Sequence, residues 1–237
     1  LNIGLKDYLM YEGYSSKLVP FKNKIGAADP GLVDVDELYD KMMNVYTWDA
    51  IRQDNFDVDY QNYYTFLGVL PQRELFVSTA NALLKAGDKE RALNVLDKCQ
   101  EAMPEKVWPL ETIPLGFSTN DYMVVNMVAD YFAAGAYDKA VDLGARLGSQ
   151  LLISAGFYMQ FYDYAQSDFE MTCQFLYYLI DEMEKGGARK EASALKSGLV
   201  SILKAGAALD GYDDAEVSSS AGSSADTSAG TKKQEGE

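Results

Sequence analysis

Residues 73–104 read RELFVSTANALLKAGDKERALNVLDKCQEAMP, and their pattern decides the fold. The stretch divides at Gly87 into two helical segments joined by a tight turn. With Arg73 as position 1, Ala80, Leu83, Gly87, Ala92, Leu96 and Pro104 fall at positions 8, 11, 15, 20, 24 and 32. Ala80 and Ala92 are small, so two antiparallel helices can approach closely where they cross, and Leu83 and Leu96 fill the space on either side. Gly87 permits the turn that ends the first helix, and Pro104 stops the second.

One such pair cannot bury its apolar face alone, so it requires neighbours. Residues 85–99 (KAGDKERALNVLDKC) are echoed by 133–147 (AAGAYDKAVDLGARL) and 185–199 (KGGARKEASALKSGL). Gly87, Gly135 and Gly187 correspond, as do Ala92, Ala140 and Ala192, which are 48 and 52 residues apart. A tetratricopeptide period is about 34 residues, and stable stacking takes about three units. The expected fold is therefore all-α, a divergent tetratricopeptide-like α-α superhelix over residues 66–210 with long first helices or inserted loops. One insertion is KVWPLETIPLGFSTN (106–120), with two prolines. The other, SAGFYMQFYDYAQSDFE (154–170), is too aromatic for a solvent-exposed linker.

A small mixed segment, residues 1–65, precedes the array. Leu5, Tyr8 and Leu9 begin a short helical pattern that turns at Gly13. Residues 17–21 alternate like a strand until Pro20 limits it. After the loop IGAADPG (25–31), DVDELYDKMMNVYTW (34–48) reads as an amphipathic helix with Leu38, Met42 and Tyr46 on one face and Asp34 or Asp36 as N-cap. Residues 51–65, with Asp54, Asp57, Asp59 and several tyrosines, read as an ordered loop leading into the array. From 211 to 237 the chain has six Ser, four Gly and no Leu, Ile or Phe, the composition of a disordered tail.

Charge and composition exclude several function classes. The 237-residue chain carries 36 acidic against 21 basic residues, a net charge of −15, with no Lys/Arg cluster, so nucleic acid is not an expected partner. It has no histidine, which removes His triads, His general bases and His-ligated zinc. Cys99 and Cys173 lie among apolar helical positions as buried thiols, and sequence alone leaves a disulfide between them open. No apolar run reaches the roughly 18–20 residues that cross a bilayer, so this stretch is not expected to insert directly. The start at Leu1, without Met or a signal peptide, is what a piece of a longer chain would have.

The pairs Asp34–Val35–Asp36 and Asp57–Val58–Asp59 resemble those that hold a divalent cation against a diphosphate in sugar-nucleotide transferases. In so acidic a chain such pairs arise by chance, and helix capping or a solvated loop accounts for them; residues 54–59 also lack the glycine of a calcium-binding loop. No metal or cofactor is expected, and no side chain has a partner for nucleophilic or acid–base work. A metal enzyme built on Asp57 and Asp59 is the remotest alternative. The candidate binding residues are aromatic: Tyr158, Phe161, Tyr162 and Tyr164, with Phe157 and Phe169 nearby. Two readings stand, packing of these rings between long helices or a groove that stacks on a peptide or sugar. Tyr122, Tyr131 and Tyr137 suit inter-helix packing.

LKDYLMYEGYSSKLVPFK (5–22), VDVDELYDKMMNVYTW (33–48) and ALLKAGDKERALNVLDKCQEAMP (82–104) resemble the C-terminal region of a bacterial multi-pass membrane family. It is known as domain of unknown function 2723, is common in Bacteroidetes, and is related to protein O-mannosyltransferases. The marks are Tyr8–Leu9 followed by Glu12–Gly13, Leu18–Val19–Pro20, and Tyr39–Asp40 with Met43–Asn44. The resemblance covers residues 1–150. It implies a non-catalytic soluble domain on the periplasmic side of the inner membrane, serving a membrane glycosyltransferase-like chain. Its partners would be a protein or peptide, or the membrane part of the same chain. A stand-alone helical-repeat scaffold unrelated to glycosylation is the alternative.

Overall fold

Three helix pairs, each closed by the same turn, form the body of the protein. A computed structural model describes residues 6–22, 32–56, 69–111 and 120–222. The fold is all-α. Its helices are α1 (Val35–Asp40), α2 (Val69–Lys85), α3 (Lys89–Ala102), α4 (Asn120–Ala134), α5 (Tyr137–Gln160), α6 (Tyr162–Lys185) and α7 (Arg189–Gly222).

The pairs are α2–α3, α4–α5 and α6–α7. Gly87, Gly135 and Gly187 have φ of 82°, 89° and 92°, the left-handed region that admits glycine without strain. Around each, two hydrogen bonds close the first helix. Asp88, Ala136 and Ala188 N–H donate to the carbonyls of Leu83, Tyr131 and Met183, and the glycine N–H donates three residues back. Those same three residues start the second helices, accepting from Ala92, Ala140 and Ala192 N–H. All three alanines are completely buried, as are Ala80, Leu83 and Leu96, so the small residues sit where the helices cross.

The first helices stack in one layer, α2 on α4 and α4 on α6, and each second helix also packs on the next first helix. The core runs unbroken along the array, through Phe76, Val95, Val128, Tyr131, Leu147, Leu151, Leu176, Leu179 and Met183. A polar seam joins α3, α4 and α5. Tyr131 Oη accepts from Gln100 Nε2 at 2.6 Å and donates to Asp97, while Arg146 pairs with Glu105 and reaches Gln100 Oε1 at 3.0 Å.

The residues between the echoed stretches are placed in two different ways. Between α3 and α4 their described part, residues 103–111, is pinned by Arg73. That guanidinium is buried and donates to the carbonyls of Trp108 and Pro109 at 3.1 Å each. Between α5 and α6 there is no inserted loop. Both helices span 24 residues, and the chain passes from one to the other through Phe161 and a kink at Ala165. The second helix is lengthened as well as the first.

The front segment holds a three-stranded sheet in the order β2–β1–β3, with β1 at Leu9–Tyr11, β2 at Ser16–Leu18 and β3 at Leu32–Val33. The helical pattern expected from Leu5 to Leu9 is a single 3₁₀ turn, Lys6–Tyr8, after which Leu9 joins the sheet; Leu5 lies outside the described residues. The expected strand is β2, which ends before Pro20, and Gly13 turns with φ 109°. Asp34 caps α1 through Glu37 N–H, and Leu38 and Met42 are buried as expected. The helix does not run on to Trp48: it loosens into a π turn at Lys41–Val45 and stops at Tyr46. That turn frees the Met42 carbonyl to accept from Trp48 Nε1 at 3.1 Å.

At the other end α7 continues to Gly222, past residue 211 where composition predicts disorder. Extending a helix already anchored by packing needs no new nucleus, so a weakly apolar stretch can follow it. Residues 223–237 lie outside the described residues.

Candidate functional site

The aromatic residues singled out from sequence lie where α5 hands over to α6. Phe161 closes α5 and opens α6 with φ −123° and ψ 35°, and Ala165 departs from helical geometry in the same way. Around this bend several rings stand largely in solvent. Phe157 is 56% exposed, Phe161 49%, Tyr162 38% and Tyr164 93%, whereas Tyr158 packs half-buried against the core. Phe157 gathers Tyr158 and Phe161 at centroid distances of 5.6 and 5.2 Å, and Tyr162 stands edge-on to buried Phe169 at 5.6 Å. The structure thus brings Tyr158 and Phe161 together and sets Tyr162 on a second ring pair. Of the residues expected to pack between helices, Tyr131 is buried, but Tyr122 and Tyr137 are exposed.

From Phe169 a shallow open groove of about 380 Å³ continues along α6, lined by Glu170, Cys173, Gln174, Tyr177 and Tyr178, with Leu203 of α7 as its far wall. Tyr178 accepts from Gln174 Nε2 at 3.1 Å and meets Tyr122 of α4 edge-on at 6.0 Å. Sequence reasoning missed this groove. The signal was present in α6 as Glu170, Cys173, Gln174 and Tyr177 at three- and four-residue intervals, a face distinct from that of Thr172, Leu176, Leu179 and Met183.

Burial raises several acidic groups of the body. Asp130 of α4 is 6% exposed, accepts from Asn81 Nδ2 of α2 at 2.9 Å, and is raised to about 7 by burial and then by the nearby charge of Glu182. Burial likewise lifts Glu111 to about 7, a hydrogen bond from Ser154 opposing it. Cys99 and Cys173 are separate free thiols, pushed up to about 12 and about 11 by burial, so neither is an activated nucleophile.

The acidic pair at 34–36 is occupied within the fold. Asp34 caps α1, and Asp36 accepts from Arg91 at 2.6 Å. Asp57 and Asp59 lie outside the described residues. Among the described residues no group of three or more His, Cys, Asp or Glu is placed to hold a metal ion, and no helix is long and apolar enough to cross a membrane.

The geometry therefore defines an all-α protein of stacked helical hairpins with aromatic ground at the α5–α6 bend and along α6. No family model, curated protein or solved structure matches the chain, so its residues and their arrangement carry the functional reading.

Proposed function

We propose that the chain is a non-catalytic recognition scaffold, a tetratricopeptide-like array in which a protein or peptide lies against aromatic side chains. The observation that carries this reading is the cluster at the α5–α6 bend, where Phe157, Phe161, Tyr162 and Tyr164 keep large ring surfaces in solvent on rigid helices. Exposed aromatic rings gathered at one bend mark contact sites. Rings bring contact area with few rotors to immobilise, and a helical array presents them along an extended surface.

Panning a random peptide library on the purified domain tests this. Enriched peptides should lose binding in Phe161→Ala and Tyr164→Ala variants whose melting temperatures stay within about 2 °C of the parent. No enrichment, or enrichment indifferent to both changes, would overturn it.

The resemblance of residues 1–150 supports a second element of the proposal. The scaffold would serve a membrane glycosyltransferase-like chain from the periplasmic side, recognising an acceptor protein or docking onto its own membrane part. The reading frame upstream of Leu1 decides this element. Several apolar segments of about 20 residues support it. A soluble start sinks it and leaves the stand-alone scaffold.

A further inference from the structure

We infer that the groove along α6 receives an arginine-bearing, cationic peptide segment. This rests on the scaffold reading above and names the chemistry of the partner.

The groove supplies two things an arginine side chain uses. Tyr177 and Tyr178 are 56% and 44% exposed and offer ring faces along an apolar lining, and Glu170 borders that lining with its carboxylate. Glu170 accepts from Gln166 Nε2 at 2.8 Å and has no cation in ion-pair range among the described residues. A planar guanidinium can lie over a tyrosine ring and still donate to a carboxylate, which a lysine ammonium does less well.

Charge across the array selects the same occupant. Helix α4 has no Lys or Arg, and α6 has none until its last residue, Lys185. That ammonium is held by Asp181 and Glu182 at 2.6 Å each. The basic residues gather on the second helices, including Lys98 of α3, Arg146 of α5, and Lys196 and Lys204 of α7. Of these, Lys98 and Arg146 are paired with Glu101 and Glu105. A cationic segment entering the groove is thus drawn to the α4–α6 side, towards the Tyr122–Tyr178 edge, and kept from the α7 lysines. An acidic segment would meet Glu170 and a chain of net charge −15.

The test is fluorescence anisotropy with a fluorescein-labelled nonapeptide carrying Arg at every third position between Gly and Ser, beside its Lys and Glu counterparts. The Arg peptide should bind, more weakly as salt rises, with the Lys peptide weaker and the Glu peptide silent. A Tyr177→Ser/Tyr178→Ser double variant should weaken the Arg peptide about tenfold, and Glu170→Gln about threefold. Glu90→Gln, an exposed carboxylate on α3, should leave it unchanged. Absence of binding overturns the inference. So does binding that ignores the tyrosines or responds equally to Glu90→Gln, because net charge alone would then explain it. Library peptides that bind through Phe161 and Tyr164, with the Arg peptide silent, would overturn this inference and leave the scaffold reading standing.

Discussion

At its N-terminal end the array is covered, and at its C-terminal end it is open. On the first hairpin Trp48 lies 4.7 Å from Phe76, Arg91 of α3 pairs with Asp36 and sits 5.3 Å over the Tyr39 ring, and Trp108 Nε1 donates to the Ile51 carbonyl at 2.7 Å. On the last hairpin Tyr177, Tyr178, Val200 and Leu203 remain in solvent. A hairpin array has two apolar ends, and among the described residues only the first carries a cap.

Breaking the covered end should have the largest effect. Trp48→Ala removes a buried ring and the indole bond to Met42, and should cost about 3 kcal/mol in urea unfolding. If it costs under about 1 kcal/mol, the front segment is an appendage and not a cap.

Midway between the ends, Asp130 predicts a gain. Its carboxyl holds a proton more tightly folded than unfolded. Its contribution to stability is therefore complete below about pH 4 and is lost as pH rises through about 7. Asp130→Asn keeps an oxygen to accept from Asn81 and removes the buried charge. Unfolding at pH 8 should then show a gain on the order of 2 kcal/mol, with little change at pH 4. Equal effects at both pH values would count against the titration.

Gly135→Ala probes the turn alone. Nothing lies within 4 Å of the added Cβ, so the change meets only the positive φ of 89°. It should cost about 1 kcal/mol by thermal melting. The smallest effect belongs to the open end, where Tyr177→Ser should shift stability by no more than about 0.5 kcal/mol. A large loss there would place the ring in the core and remove the contrast between the two ends.

The hairpins were legible in sequence because their signals are local. Glycine at the turn, alanine at the crossing and leucine beside it act within a few residues, so Gly87 with Ala92, and their counterparts, mark the pairs directly. The front sheet was mostly illegible because its strands are two or three residues long and owe their existence to pairing; β1 binds both β2 and the distant β3. The aromatic cluster was visible as composition, but its exposure depends on the Phe161 bend, a tertiary outcome. The groove escaped because α6 is apolar on one face and aromatic on another, which blurs its helical pattern. That α7 reaches Gly222 escaped because composition does not register an anchored helix upstream.

The short junction from Phe161 to Ala165 has a mechanical consequence. With no loop between α5 and α6, the torsions of Phe161 (φ −123°, ψ 35°) and Ala165 (φ −124°, ψ 24°) set the direction in which the last hairpin leaves α5. The junction works as a fixed elbow, and the α6 groove lies on its forearm. A substitution at 161 that alters those torsions would re-aim the tyrosines of the groove without touching one of them.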